Sequence, residues 1–341
     1  MGNIKDRALF NYGLKEWATE PMAAFDAFLA SFQFNGRHLR PSSFVIYRGM
    51  FERLLRCAQE QAPPRKIVEL NDTALELFLG ERGLAAETRH RYLLVFNTLF
   101  EHLAQLRIAL PETPAPAADN PARTLLMDGP APDRADPEYL TLQEMEAFLK
   151  ALPSATTWKK ARTNALAYTL VGAGLRSSEA LGLTLADLPL KNGILERVWV
   201  QAHKPRPLRQ VPLQPFAREP LQNWLTQRAS LGIPGQLVFP SNTAGAALQP
   251  VTLFRLIKST LESAGISKRY EGATLLRNTC GVLWLARHDS ERVMLWMGHD
   301  TLRTTEMLLA PEKRTKETAD STTVKQALQA AMPLASPPPQ A

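Results

Sequence analysis

Leu166-Ala167-Tyr168-Thr169-Leu170-Val171-Gly172-Ala173-Gly174-Leu175-Arg176-Ser177-Ser178-Glu179-Ala180-Leu181 is the stretch on which the reading of this chain turns. The apolar run from Leu166 to Val171 predicts a helix that breaks at Gly172-Ala173-Gly174, where two glycines weaken helical backbone. A second helix starts at once, with Ser177 and Ser178 able to cap it. An arginine therefore follows a glycine turn directly. Its guanidinium keeps its charge and offers paired donors that suit a carboxylate or a phosphate. Arg176 is open to two readings, an edge arginine paired with Glu179 or a phosphate ligand.

Upstream, Thr141-Leu142-Gln143-Glu144 has capping-box spacing ahead of Met145, Phe148 and Leu149, so a helix and a domain begin there. Downstream, Ile194 to Val200 and Arg209 to Leu213 read as two strands around a basic turn, His203-Lys204-Pro205-Arg206-Pro207. A long, mainly helical section follows from Val251.

Farther out, prolines 111, 114, 116, 121, 130, 132 and 137 crowd one alanine-rich stretch that can neither sustain a helix nor fill a strand ladder. Residues 111–138 are therefore expected to be a linker. Before it, apolar residues recur at helical spacing in four groups: Phe25 to Phe32, Val45 to Leu55, Leu75 to Phe78 and Tyr92 to Leu103. Basic residues gather near the starts of the second and fourth helices: Arg37, Arg40, Arg48, Arg53 and Arg56, then Arg82, Arg89, His90 and Arg91. Helix N-termini already favour phosphate, and arginines there strengthen the preference; any one of them reads better as a solvated charge, but two clusters at matching places point towards DNA.

At 341 residues the chain suits two domains with tails, and 40 Lys and Arg against 33 Asp and Glu leave a net charge of +7 that favours polyanionic partners. Cys57 and Cys280 stand far apart among apolar neighbours, which argues against a disulfide framework or thiolate metal site. The histidines have no zinc-ligand spacing, so neither metal nor cofactor is expected. No apolar run spans a bilayer and the first residues lack a signal-peptide plan, so a cytoplasmic protein is expected.

Over roughly residues 20 to 312 the chain resembles the tyrosine recombinase, or phage integrase, family. Gly174-Leu175-Arg176-Ser177-Ser178-Glu179 matches the motif of the family's first arginine, with Leu181, Leu183 and Asp187 following. Lys204 keeps the spacing of the family's lysine to Val211-Pro212-Leu213, and Arg209 also falls at a family position. Thr274-Leu275-Leu276-Arg277-Asn278 keeps the second arginine of His-x-x-Arg-His but replaces both histidines. Met297-Gly298-His299 corresponds to Leu-Gly-His, and Thr304-Thr305 stand in the expected place after it. Leu308 occupies the position of the nucleophilic tyrosine, and no tyrosine follows Tyr270. Ala310 replaces a further histidine.

The resemblance implies a mainly α fold with a small β-sheet: a SAM-like helical core-binding domain and a catalytic-type domain that together clasp duplex DNA as a C-shaped clamp. The expected boundaries are an N-terminal segment 1–19, the core-binding domain 20–110, the linker 111–138, the catalytic-type domain 139–315 and a C-terminal helix with tail 316–341. It further implies that Arg176 and Arg277 clamp a scissile phosphate, that Lys204 protonates the leaving oxygen, and that His299 is a phosphate ligand. Two bland alternatives stand beside these, a solvated hairpin lysine stiffened by Pro205 and Pro207 and a histidine that caps a helix. Arg37, Arg40, Arg48, Arg89, Arg91 and Arg209 are the expected DNA contacts.

A phenol is needed to form the covalent phosphotyrosine that stores the energy of the broken phosphodiester, and Leu308 cannot supply it. Thr301, Thr304 and Thr305 are nearby hydroxyls without an evident base, better suited to local capping. The leading expectation is a site-specific DNA-binding protein of recombination or integration of a mobile element, oligomeric on DNA and accompanied by a catalytically intact recombinase. Two alternatives are a transcriptional repressor that uses the fold to occupy an operator and an active recombinase with a non-standard nucleophile.

Overall fold

The computed structural model describes residues 12–31, 33, 34, 37–39, 41–80, 84–108, 120–128, 136–191, 193–202 and 207–309. The chain divides into two compact units, Met1–Arg134 and Ala135–Ala341. Arg40, Arg82, Lys204 and Ala310 lie outside the described residues, as do the expected C-terminal helix and the side chain of Arg37.

The first unit is built from helices α1 (Leu14–Thr19), α2 (Pro21–Ser31), α3 (Pro41–Glu60), α4 (Asp72–Gly80), α5 (Ala86–Ile108) and α6 (Pro121–Asp128). A two-residue hairpin, β1 (Gln33–Phe34) against β2 (Arg37–His38), joins α2 to α3. The apolar spacing seen in the sequence becomes an aromatic core: Phe25 stacks on Phe51 with ring centroids 4.0 Å apart, and Phe78 meets Phe96 edge to face. Trp17 on α1 is fully buried beside Phe28 and Phe51, although its short helix was not expected.

The proline-rich stretch is not linker throughout. Its Asn120-Pro121 starts α6, because an asparagine N-cap and a proline in the first turn both favour initiation there. Asn120 Oδ1 accepts from the amides of Ala122 and Arg123, each at 3.1 Å, while Asn120 Nδ2 donates to the Asn97 carbonyl. Ala122 and Leu125 belong to the first unit's core, so that part of the expected linker is corrected.

In the second unit Thr141 caps α7 (Leu142–Lys150) as the sequence predicts: its Oγ1 accepts from Glu144 N, and its own amide donates to Glu144 Oε2 at 2.8 Å. Helix α8 (Trp158–Ala173) is buried along most of its length, with α10 (Pro215–Ser230) and α12 (Ala273–Leu285) packed on it. A short α9 (Ser177–Leu181) follows, then the hairpin β3 (Leu190–Lys191) and β4 (Ile194–Leu195). The antiparallel pair β5 (Arg197–Val200) and β6 (Arg209–Pro212) runs from Arg197 opposite Pro212 to Val200 opposite Arg209. Helices α11 (Pro250–Ser263), α13 (Ser290–Met297) and α14 (Leu302–Glu306) complete the described unit.

Candidate functional site

The helix break around Gly174 is sharper than its sequence suggested. Helix α8 continues through Ala173 and stops at Gly174, whose left-handed φ of 57° suits glycine. A Cβ there would also lie 3.1 Å from the Trp284 ring and 3.2 Å from Met297 Sδ, tight contacts that add to the backbone's preference for glycine. The next helix is not capped by its serines. Arg176 occupies the N-cap position, and its amide donates to Glu179 Oε2 at 2.8 Å.

That glutamate gathers three arginines. Arg176 Nη1 donates to Glu179 Oε1 at 2.9 Å, Arg209 Nη2 donates to Glu179 Oε2 at 2.9 Å, and Arg277 Nη1 lies 4.0 Å from the same oxygen. A second set of acceptors comes from the end of α13, whose last carbonyls have no partner within the helix. Trp296 O accepts from Arg209 Nε at 3.0 Å, Gly298 O accepts from Arg176 Nη2 at 2.6 Å, and Met297 O accepts from Arg277 Nη2. Three successive carbonyls thus receive three guanidinium groups, in the position where a helix C-terminus favours positive charge. Arg277 Nη1 donates to the Gly174 carbonyl, which closes the ring around the glycine turn.

Electrostatics follow from this packing. Burial alone would raise the Glu179 carboxyl, but the hydrogen bond and charge of Arg209, followed by those of Arg176, outweigh it and hold the group at about 2. Arg277 is only 6 % exposed. Burial, and then the charge of Arg176, push its guanidinium below the usual range, with Glu179 opposing them. One carboxylate against three guanidinium groups leaves the cluster with a surplus of two positive charges. Arg176, at 23 % side-chain exposure, is the arginine with the most open surface. Such a cluster can hold a phosphodiester electrostatically and through charge-assisted hydrogen bonds.

The other expected residues fall into distinct environments. His299 lies beyond the C-terminus of α13 rather than at a helix start, with its amide donating to Met294 O and its Nδ1 2.9 Å from Thr305 Oγ1. Thr301 caps α14 by accepting from Thr304 N, the local role anticipated for it. Thr274 is exposed in the first turn of α12, and Asn278 donates its Nδ2 to the Glu138 carbonyl at 2.9 Å. Arg209 belongs to the buried cluster. Leu308 is 4 % exposed and part of the hydrophobic core. A Cβ on Gly281, one turn after Arg277 on α12, would sit 2.6 Å from Leu308 Cδ1, so the leucine packs directly on that helix.

In the first unit Arg48 pairs with Asp26 at 2.9 Å, Arg89 lies 3.8 Å from Glu76, and Arg91 is exposed on α5. Sequence reading missed the convergence of Arg176, Arg209 and Arg277 on Glu179. The available signal was the capping-box interval between Arg176 and Glu179, which places a carboxylate beside a helix start.

A model of the phage integrase family matches residues 138–313. The putative integrase/recombinase y4rC of Sinorhizobium fredii is 28 % identical over 301 residues, covering 83 % of this chain and 85 % of that protein. Tyrosine recombinase XerH of Helicobacter pylori is 31 % identical over 189 residues, covering 54 % of this chain and 51 % of its own. Among solved structures, XerH bound to a palindromic difH substrate in a post-cleavage complex aligns with TM-score 0.63 and 22 % identity, over 91 % of this chain and 83 % of that one. A lambda integrase dimer bound to a COC′ core site aligns with TM-score 0.60 and 14 % identity, over 91 % and 80 %. The structural likenesses speak for the fold, and the family match, which spans more than half of the sequence and includes Arg176, Arg209, Arg277 and His299, shows that this chain belongs to the phage integrase family.

Proposed function

We propose that this protein binds specific sites on double-stranded DNA in recombination or integration of a mobile element and cannot cleave the DNA alone. The observation that carries the reading is a complete arginine cluster beside a buried leucine: Arg176, Arg209 and Arg277 converge on Glu179, while Leu308 is packed into the core against Gly281. In this reading Arg176 and Arg277 hold a backbone phosphate, His299 lies beside it, and Lys204 retains a proton donor's place. Arg37, Arg40, Arg48, Arg89 and Arg91 supply contacts to neighbouring phosphates. No phenol attacks, so strand exchange requires an intact recombinase in the same DNA-bound oligomer. Support also comes from the chemistry the cluster combines, permanent positive charge and planar paired donors, which suit a phosphodiester.

The test is trapping on a nicked duplex. DNA recovered with the protein from cells is synthesised with a nick near the bound centre, incubated with the purified chain, and run under denaturing conditions. Specific binding without a denaturant-resistant adduct is the expected result. An adduct would sink the proposal in favour of an active recombinase with another nucleophile, and addition of an intact relative should produce adducts attached to that relative alone.

A further inference from the structure

A groove of about 700 Å³ opens beside the arginine cluster, bordered by Pro137, by Pro250 and Phe254 of α11, and by Tyr270 and Thr274 around the start of α12. Two of its aromatic rings stand out of the fold, Phe254 at 46 % exposure and Tyr270 at 48 %. Large apolar groups exposed in company mark a contact surface. Among the lining residues two carboxylates, Glu138 and Glu271, face one guanidinium, Arg269, so the groove itself does not attract a phosphate chain. Its acceptors are engaged: Glu138 Oε2 takes the Tyr270 amide at 3.1 Å, and Glu271 pairs with Lys258 at 3.0 Å. Donors border it instead. Gly272 gives α12 no side-chain cap, and the amides of Ala273 and Thr274 lie ahead of the first intrahelical bonds.

A fitting occupant brings apolar surface and acceptors without charge. One stretch of this chain has that chemistry, Ser336-Pro337-Pro338-Pro339, within residues 310–341 that lie outside the described ones. Proline has no amide hydrogen, so a proline tract offers only rings and carbonyl acceptors, and its fixed φ lowers the cost of ordering. Proline-rich segments dock on aromatic-lined grooves for these reasons. Reach is sufficient. The described chain ends at Leu309, next to Leu308, whose side chain packs at Gly281 on α12. Gly281 is seven residues along that helix from Thr274, about 10 Å at the α-helical rise. The 27 residues from Ala310 to Ser336 have a root-mean-square span of about 30 Å as a coil.

We propose that Pro337-Pro338-Pro339 docks in this groove of its own subunit, against Phe254 and Tyr270, and that the docked tail competes with DNA. Tethering raises the tail's local concentration to about millimolar, so a weak contact suffices. The competition follows from position: Ser177 lines the groove and directly follows Arg176, so a duplex with a phosphate on Arg176 passes the groove's mouth. The competition rests on the DNA-binding reading above, whereas the docking does not.

Hydrogen exchange over residues 270–278, measured without DNA, tests the docking. The first-turn amides of α12 should exchange several-fold more slowly in the full chain than in a chain lacking residues 333–341. The full-length variant with Pro337→Ala, Pro338→Ala and Pro339→Ala should behave like the truncated chain. A synthetic peptide of residues 333–341 should restore slow exchange to the truncated chain, and the same peptide with those three alanines should not. Unchanged exchange on truncation overturns the docking, as does equal action of the two peptides. Slowing that appears only as protein concentration rises assigns the groove to the tail of a second copy and overturns the same-subunit assignment. For a duplex selected by the full-length protein from a random pool, truncation should tighten binding about fivefold, as for a tethered competitor present at about four times its own dissociation constant. Unchanged affinity overturns the competition. Failure of both chains to bind any duplex overturns the DNA-binding reading, and the docking is then decided by exchange alone.

Discussion

Glu179→Gln removes one negative charge from the centre of the arginine cluster and nearly preserves its shape. The carboxylate receives Arg176 Nη1 and Arg209 Nη2 at 2.9 Å each, and Arg277 is 4.0 Å away. Its titration has dropped from an ordinary 4.5 to about 2, which at 1.36 kcal/mol per unit corresponds to about 3 kcal/mol of folding stability. Only 13 % of the side chain is exposed, so solvent screens little of this. The variant should therefore lose about 3 kcal/mol at neutral pH, the usual scale for breaking a buried ion pair. Urea unfolding followed by tryptophan fluorescence is a suitable assay, since Trp158, Trp199, Trp224, Trp284 and Trp296 all lie in the second unit and only Trp17 in the first.

The pH dependence makes the test sharper. Because the folded-state carboxyl is depressed, its stabilisation is fully present above about 4.5 and is lost as pH falls towards about 2. The gap between wild type and Glu179→Gln should accordingly narrow by more than half by about pH 3. A neutral-pH loss below about 1 kcal/mol, or a gap that stays constant across this acid range, refutes the assignment of Glu179 as the charged centre.

Two further outcomes follow from the same geometry. Arg176→Ala should weaken binding to the selected duplex and lower the logarithmic salt slope by about one, measured by salt titration; an unchanged slope removes its phosphate contact. Gly298→Ala should destabilise the fold by about 1–2 kcal/mol in thermal or urea unfolding, because its left-handed backbone disfavours a side chain. Its new Cβ would also stand 3.0 Å from Arg209 Cζ, so the variant should disturb the cluster as well.

Much of this architecture was legible from local pattern. The Thr141 cap, the break at Gly174 and the strands flanking residues 203–207 depend on interactions within a few residues, and the sequence carries them directly. The proline-rich stretch misled because proline was weighed as a breaker, whereas Pro121 behind Asn120 starts a helix. Helix α1 is six residues long, too short to display apolar periodicity. The site was legible as separate arginines but not as a cluster: Arg176 reaches Gly298 across 122 residues and Arg277 reaches Gly174 across 103. Such convergence is fixed by packing of α8, α12 and α13, which spacing along one segment does not encode.

The three arginines of the cluster differ in how far the fold alone accounts for them. Arg277 is almost wholly buried and its Nη1 and Nη2 donate to the carbonyls of Gly174 and Met297, so replacing it strips buried acceptors of their partners whether or not DNA is ever bound. Folding alone is sufficient reason to keep it. Arg176 has more open surface and sits beside the groove, so it is the better witness for phosphate binding. Leu308 completes the contrast. An apolar side chain at this position packs onto Gly281 and becomes part of the core, next to the very helix that carries Arg277. A tyrosine placed here would have to displace that packing before its hydroxyl could approach a phosphate, so restoring the phenol alone should leave the protein silent in the nicked-duplex assay. An adduct formed by Leu308→Tyr would show instead that the leucine's burial is readily reversed and that only the hydroxyl was missing.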